Sequence, residues 1–581
     1  MNHHLTEQLY QHNLINAIDF ELSEFMGRLA GDSNSAELRL AVALASYQVS
    51  SHEHASLDLA QCSGRTLEDF FAAELLFSHV QPPKELLKIR LPELKHWLEK
   101  ITAAELEPLI IYNEQRLYLR RWWNYEERII QIINQRLNDD STTPDEATLD
   151  HYGLTGEQRA AAIMALRGNF SIITGGPGTG KTTTFTTILA MLQERSSQPL
   201  RIAMAAPSGK AAQRMQEAVD KACANQKIEN LTLSKASTIH RLIGYNPISQ
   251  RLKHHQTNPI QANIVVIDEC SMIPLGLLCK LLNAIPDTAQ IIMLGDPNQL
   301  EPIEVGAAFN DICAAATQNP KLNRRVTKLL KSYRFDATSG IGQLSLAIRD
   351  GNTAELENLI ANSPEDVKFV QVTEESWEEN IQKVAKTFQT SLEAANLTDA
   401  FKAFEQCRIL SACNRRFMGC QKVNDWICTY FSPEPHYRGL PIMITVNDYN
   451  ESLFNGDIGM IWSDTPDGPL YAEFPDSSGG FRQISLNLLP NWVPAYATTV
   501  HKAQGSEAEQ IILLMPSAAA PLLTRELFFT GVTRAQKRVE IWYENLSDLA
   551  EATKHSQYTP SGIAEKLTYV TGVFPVRKNW T

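Results

Sequence analysis

The segment Gly175-Gly-Pro-Gly-Thr-Gly180-Lys181-Thr182 sits between an apolar run, 170–174, and a stretch with helical patterning. It therefore demands a strand, a tight glycine turn and a helix start in immediate succession. Glycines let the backbone curl so that successive N–H groups face one point at a helix N-terminus, where the helix dipole also favours negative charge. Such a loop cradles phosphates, with Lys181 reaching the β/γ-phosphates and the Thr182 hydroxyl holding Mg²⁺. Gly175, Gly176, Pro177, Gly178, Thr179, Gly180, Lys181, Thr182 and Thr183 are thus the candidate residues for binding a nucleoside triphosphate.

At 581 residues the chain exceeds what one hydrophobic core organises, and about three or four domains are expected. The N-terminus carries Glu7, Asp19, Glu21 and Glu24 with no apolar leader, and no run is long and apolar enough for a membrane span. A cytosolic protein with no membrane partner is the expectation. Nine cysteines, an odd number with no C-x-x-C pair, argue against a disulfide framework and against a zinc or iron–sulfur site. A net charge of −13 argues against indiscriminate nucleic-acid binding, but leaves room for a channel lined locally with Lys and Arg.

Residues 1–137 read as a helical domain with a short hairpin, Pro108-Leu-Ile-Ile-Tyr112 followed by a second strand from Arg116 to Trp123. A polar stretch, 138–149, breaks all periodicity and reads as a linker. Short apolar runs then alternate with helix-length segments at 171–174, 201–206, 263–267 and 290–294. This is the pattern of a doubly wound α/β domain, which binds ligands at the carboxyl ends of its strands. A second set at 407–412, 496–500, 510–514 and 538–543 predicts a second α/β domain. Between its first two strands, 434–490 is rich in turn residues, including Asn455-Gly456, a strong hairpin signal, and predicts an inserted small β-barrel.

Ile264-Val-Val-Ile-Asp268-Glu269 is a buried-strand pattern ending in two carboxylates. After a phosphate loop such a pair has two jobs: Asp268 in the Mg²⁺ shell, Glu269 positioning and deprotonating the attacking water. Taken alone, an acidic pair at a strand end serves equally as a helix N-cap. Leu294-Gly-Asp-Pro-Asn-Gln299 closes another strand and would place the Gln299 amide beside the pair, although Gly-Asp-Pro-Asn is also a good turn sequence. Ser332-Tyr-Arg334-Phe and Thr530-Gly-Val-Thr-Arg534 each offer an arginine from outside the first core, able to neutralise charge on transferred phosphoryl oxygens.

Pro207, Ser208 and Lys210, then His240, then Thr499, His501 and Lys502 lie at or just after expected strand ends. Hydroxyls, amides and cations there suit sequence-independent phosphate contacts along a single nucleic-acid strand. Trp122, Trp123 and Tyr125 interleave with Arg120, Arg121 and Arg128 as a base-stacking platform would. The favoured reading is a strand whose aromatics pin the N-terminal domain.

Taken in order, Leu154-Thr-Gly-Glu-Gln158, the glycine loop, Ala206-Pro-Ser-Gly-Lys-Ala-Ala, Ser237-Thr-Ile-His-Arg, Asp268-Glu-Cys-Ser-Met, Gly295-Asp-Pro-Asn-Gln-Leu, Ser332-Tyr-Arg-Phe, Thr499-Val-His-Lys-Ala-Gln-Gly-Ser-Glu507 and Gly531-Val-Thr-Arg-Ala resemble the motif series of superfamily 1B helicases across residues 150–545. Thr238-Ile-His-Arg-Leu, the segment from Asn447 to Gly459 and Arg116-Leu-Tyr-Leu are similar to RecD-like helicases in particular.

The resemblance implies an α/β protein with two RecA-like P-loop motor domains (150–335; 336–433 with 491–581), a helical N-terminal partner-docking domain (1–137) and an SH3-like barrel (434–490). It implies ATP and Mg²⁺, with Gln158 on the adenine, Gln299 on the γ-phosphate, and Arg334 and Arg534 reaching across the cleft. It also implies 5′ to 3′ movement on single-stranded DNA as a subunit beside RecB-like and RecC-like partners, with the nuclease in a partner, and a pin-like insertion at 243–262. Free-standing relatives carry a longer N-terminal region with helix-hairpin-helix signatures, and 1–150 has no Gly-Ile-Gly repeat. A free-standing helicase and a mainly regulatory ATP-binding subunit remain alternatives, as does an RNA track.

Overall fold

A computed structural model describes residues 4–568 except 32–34, 73–74, 76–81, 105, 138–145, 227–231, 336–337, 449–450, 466–467, 477–478 and 559–560. Most of the expected linker, 138–145, lies outside the described residues, and the chain resumes as the helix Glu146–His151.

The N-terminal region is mostly helical. Its helices Ala17–Leu29 and Ser35–Ser51 pack together around Asp19, a buried carboxylate that accepts the Asn16 N–H at 3.0 Å and the Ser46 hydroxyl at 2.6 Å. A small antiparallel sheet completes it, β1 (Ser56–Asp58), β2 (Leu109–Tyr112) and β3 (Arg116–Leu119), in the order β1-β3-β2. The second hairpin strand ends at Leu119, four residues short of the sequence expectation. From Arg120 to Arg136 the chain is a helix. Trp123, Glu126, Ile129, Ile130 and Ile133 recur at helical spacing on its buried side. Trp123 is only 7 % exposed, so it packs as core and offers no stacking platform. The helix docks on Leu275–Ala284 of the following region, where Arg128 Nε donates to Asn283 Oδ1 at 2.6 Å and Arg136 Nη2 to the Pro286 carbonyl at 2.9 Å.

The first large sheet is entirely parallel. It contains β4 (Phe170–Gly175), β5 (Arg201–Ala206), β6 (Thr232–Leu233), β7 (Ser237–Thr238), β8 (Ile264–Ile267), β9 (Gln290–Gly295) and β10 (Val326–Leu329), ordered β10-β4-β9-β8-β5-β6 with β7 also on β5. Strands β4, β8 and β9 are buried along their whole length, as parallel strands covered by helices on both faces must be. Within the candidate pin, isolated antiparallel bridges join Tyr245 to Leu252 and His255 to Asn258, and Ile248, in the turn closed by the first bridge, is 94 % exposed.

The second parallel sheet contains β11 (Val367–Gln371), β12 (Cys407–Ser411), β18 (Ala497–Thr499), β19 (Ala508–Met515) and β20 (Ala535–Tyr543), ordered β11-β20-β19-β12-β18. Between β12 and β18 the chain builds an antiparallel sheet of β13 (Pro441–Ile444), β14 (Ile458–Trp462), β15 (Tyr471–Pro475), β16 (Phe481–Ser485) and β17 (Trp492–Pro494), ordered β16-β15-β14-β13-β17. The pairing is an open path with β16 and β17 at its ends. Because β17 pairs with β13, the insertion runs to Pro494, past its expected end at 490.

A second expected boundary moves further. The C-terminal helix Gly562–Thr568, assigned from sequence to the second α/β unit, packs instead against helices Ala308–Ala316 and Arg120–Arg136. Ile563 and Leu567 share one core with Trp123, Ile133, Phe309 and Ile312. Lys566 is wholly buried there, with Nζ 3.2 Å from Glu126 Oε2, 2.9 Å from Glu127 Oε1 and 3.2 Å from the centre of the Trp123 ring. Among the described residues the cysteines are free thiols, and no helix is long and apolar enough to cross a membrane.

Candidate active site

The turn after β4 needs backbone that only glycine adopts cheaply. Gly178 and Gly180 have φ of 75° and 80°, and a Cβ on Gly178 would lie 2.3 Å from the Cβ of Arg334. Helix Lys181–Glu194 starts directly after Gly180, so its free N–H groups face the hollow of the loop. Lys181 Nζ donates to the Gly175 and Gly176 carbonyls.

The loop forms one wall of a cleft of about 450 Å³ lined by Lys181, Thr182, Thr183, Asp268, Glu269, Gln299, Arg334, Glu507 and Arg534, among others. These residues span more than 350 positions of sequence, and the structure brings every expected phosphate-loop and catalytic residue from Gly176 onward to one cavity. Gly175 closes β4 just beneath it. Gln158 stands at the rim: a Cβ on Gly180 would meet its Nε2 at 2.9 Å and the Tyr333 ring at 3.7 Å.

Asp268 ends the buried strand β8, and its Oδ1 accepts the Glu269 N–H at 2.8 Å. Burial, reinforced by the neighbouring Glu269 charge, pushes its pKa up to about 6, against the pull of Lys181. Glu269 itself sits in the left-handed region, φ 51°, which turns its side chain out of the strand direction. The Thr182 hydroxyl and the Asp268 carboxylate are hard oxygen donors lining the same cavity. One or two such groups plus substrate phosphates are what Mg²⁺ takes from a protein.

The far wall belongs to the second sheet. Arg534, 2 % exposed, follows helix Arg525–Val532, and its Nη2 donates to Gln299 Oε1 at 3.0 Å. Burial lowers the Arg534 pKa while Glu269 and Glu507 oppose the shift. Arg334 rides on the segment leaving β10, pinned to the phosphate loop by the Tyr333 N–H donating to the Gly178 carbonyl at 2.8 Å. Its Nη2 reaches Glu507 Oε2 at 2.8 Å, and Arg214 Nη1 stands 3.4 Å from the other oxygen of that carboxylate. Burial would raise the Glu507 pKa, but Arg334, Arg214 and Arg534 together hold it below the usual carboxylate value. Glu507, Arg214 and Tyr333 were not among the candidate residues. Glu507 and Tyr333 lie inside quoted motifs, whereas nothing in the sequence around Arg214 marks it.

The expected DNA-contact residues divide. Ser208 caps helix Gly209–Gln226, accepting the Ala211 N–H at 3.2 Å, and both border the loop after β18: a Cβ on Gly505 would lie 3.5 Å from Ala211 Cβ and 3.8 Å from Ser208 Oγ. Thr499, His501 and Lys502 begin that loop, where Thr499 Oγ1 accepts the Lys502 N–H at 3.4 Å. Pro207 directly follows β5. Lys210 faces Arg408, Glu405 and Asp457, at the meeting of both parallel units with the insertion, and burial pushes its pKa down to about 7. His240 lies apart from that group, packed against the Tyr245 ring at 5.4 Å.

Three family models match the chain: "RecBCD enzyme subunit RecD, N-terminal domain" over 11–118, "AAA domain" over 158–305 and "UvrD-like helicase C-terminal domain" over 494–541. A protein of Mycolicibacterium smegmatis named RecBCD enzyme subunit RecD is 34% identical, covering 79% of this chain and 84% of that protein. The Haemophilus influenzae protein of the same name is 31% identical, covering 73% and 76%. An ATP-dependent RecD2 DNA helicase of Deinococcus radiodurans is 29% identical over 73% of this chain and 55% of its own length. Among solved structures, a Pif1 helicase chain from a study of DNA unwinding at forked duplexes aligns with 71% of this chain and 96% of its own at a TM-score of 0.41 and 16% identity. With a relative 34% identical across 84% of that relative's length, and the family's N-terminal model matched at 11–118, this chain belongs to the RecD family of RecBCD enzyme subunits.

Proposed function

We propose that the chain is an ATP-dependent DNA helicase that moves 5′ to 3′ on single-stranded DNA in the cytoplasm, as the subunit of a RecBCD-type complex with RecB-like and RecC-like partners. One observation carries the reading: the nucleotide cleft is built from both parallel units, with Gln299 of the first bonded to Arg534 of the second at 3.0 Å. A site divided this way changes shape when its contents change, and a change in the cleft moves the two units relative to each other.

Lys181 is read as the ligand of the β/γ-phosphates, and Thr182 and Asp268 as holders of Mg²⁺. The ion, when bound, neutralises charge on the phosphate oxygens. Glu269 takes the proton of the attacking water. Arg334 and Arg534 offer their guanidinium groups to the transferred phosphoryl, and Gln299, held by Arg534, positions the γ-phosphate side. Gln158 is read as the adenine contact, with the Tyr333 ring close by at Gly180.

Pro207, Ser208, Lys210, His240, Thr499, His501 and Lys502 are read as grips on the DNA backbone. The inserted sheet is read as an SH3-like barrel beside the DNA path, the exposed hairpin around Ile248 as the pin, and residues 1–137 as the domain that docks on the RecC-like subunit. The family model matched at 11–118 supports the complex-bound reading over a free-standing helicase.

The test is strand separation on duplexes with a single-stranded 5′ tail, a 3′ tail or none, using the chain alone and co-purified with its partners. The proposal expects ATP-dependent unwinding from the 5′ tail only, abolished by Lys181→Gln. Unwinding from the 3′ tail, or an undiminished Lys181→Gln protein, would sink it.

A further inference from the structure

Leu300 belongs by sequence to the first parallel unit, directly after Gln299, yet its side chain packs in the core of the second. It is 2 % exposed and shares a cluster with Leu410, Val500, Ala503 and Phe528. Both polar groups of its backbone are taken up by side chains from that second unit. Its N–H donates to Thr530 Oγ1 at 2.9 Å, and its carbonyl accepts from Gln504 Nε2 at 3.3 Å. Thr530 is 0 % exposed and Gln504 7 %, so water cannot readily replace either bond.

The two side chains lead to different places. Thr530 is one helical turn before Arg534, whose Nε donates to the Thr530 carbonyl at 3.3 Å while its Nη2 holds Gln299. Gln504 lies in the loop after β18, two residues past Lys502 and three before Glu507. The two peptides flanking Leu300 are therefore held from different sides: the Gln299–Leu300 peptide from the nucleotide side by Thr530, and the Leu300–Glu301 peptide from the loop after β18 by Gln504.

We propose that Thr530 and Gln504 are positioning residues: by clasping the main chain of Leu300 they hold Gln299 in register with Arg534 and oblige the loop 499–506 to move whenever the Gln299 loop moves. The idea rests on the helicase reading above, in which that loop grips DNA. A buried backbone N–H that loses its acceptor has no substitute close by, so Thr530→Val frees the Gln299 loop without changing the size of the side chain.

The experiment is steady-state ATP hydrolysis by the full-length chain with and without single-stranded DNA, for wild type, Thr530→Val, Thr530→Ser and Gln504→Met, alongside each protein's thermal midpoint. Expected for Thr530→Val is a kcat at saturating DNA lowered on the order of tenfold, the loss of one well-placed hydrogen bond, with KM for ATP unchanged and Thr530→Ser restoring the rate. Gln504→Met should raise the DNA concentration for half-maximal stimulation several-fold. Wild-type kinetics in Thr530→Val, a change in KM instead of kcat, or no rescue by Thr530→Ser would overturn the clasp alone. A wild-type chain whose hydrolysis ignores DNA would overturn the helicase reading, and the clasp with it.

Discussion

Two clusters of charge tie distant parts of this chain together, and they are built in opposite ways. At the C-terminal junction Lys566 faces Glu126 and Glu127 inside a shell of Tyr112, Tyr118 and Trp123, and the side chains of Lys566 and Glu126 have no exposure at all. Around it Arg116 pairs with Glu565 at 2.9 Å, and Asp311 accepts from the Ser561 and Tyr558 hydroxyls. At the nucleotide cleft Glu507 faces Arg334 and Arg214 with Arg534 close behind, on the wall of an open cavity. Glu126 and Glu507 titrate in opposite directions: burial wins at Glu126 and raises its pKa, whereas at Glu507 the guanidinium groups outweigh burial and lower it. A sealed pair with one cation to two carboxylates fixes a junction. A carboxylate facing several arginines on a cavity wall leaves guanidinium groups free to exchange it for another anion, and that suits a moving cleft.

The largest expected effect is chemical. Glu269→Gln should lower ATP turnover ~10²–10⁴-fold, the range for a lost general base, without changing the thermal midpoint. Single-turnover hydrolysis and calorimetry on the same preparation check both halves. Next comes the sealed junction: Lys566→Met leaves Glu126 buried with its Tyr118 hydrogen bond but no cation, and should destabilise the fold by ~3–5 kcal/mol. Adding Glu126→Gln should recover much of that loss in urea unfolding. Glu507→Gln should cost far less, ~1 kcal/mol or below, because the two arginines it pairs with, Arg334 and Arg214, are partly exposed on the cleft. If the two single variants proved equally costly, the contrast between sealed and open clusters would fail.

The smallest effect concerns pH. Burial and the nearby Asp311 charge push the Glu301 pKa up from 4.5 to about 7. The folded state then binds more protons than the unfolded one between those values, so this group's contribution to stability falls as pH rises from about 4.5 to 7 and is flat above that. Glu301→Gln, which keeps an oxygen for the Asn310 side chain, should flatten that stretch of the stability profile. An unchanged slope would mean that Glu301 titrates normally in the fold.

The site was more legible than the framework around it. A phosphate loop, an acidic pair at a strand end and a Gln-bearing turn each carry local chemistry in consecutive residues, and all converge on one cavity. The central strands were legible because burial on both faces writes them as apolar runs, as in β4, β8 and β9. Strands β10 and β11, Val-Thr-Lys-Leu and Val-Lys-Phe-Val-Gln, escaped because they are sheet edges with all but one residue of each exposed or partly so. Arg120 to Trp123 read as strand because β-favouring aromatics dominate a short window, whereas the helical period emerges only when the window extends to Ile133. Nothing local to Gly562–Thr568 says which core it joins, since its partners at Tyr118, Glu126 and Asn319 lie hundreds of residues away.

ATP turnover should need the guanidinium groups ringing the cleft as well as the phosphate loop, and Arg334→Ala asks this of the one that the segment after β10 brings to the loop. The variant removes a side chain that reaches Glu507 at 2.8 Å but is itself 21% exposed, so the fold should survive. The account predicts that DNA-stimulated hydrolysis falls ~10³-fold or more while nucleotide binding stays within a few-fold of wild type. Wild-type turnover in Arg334→Ala, with single-stranded DNA present and the protein folded, would contradict it.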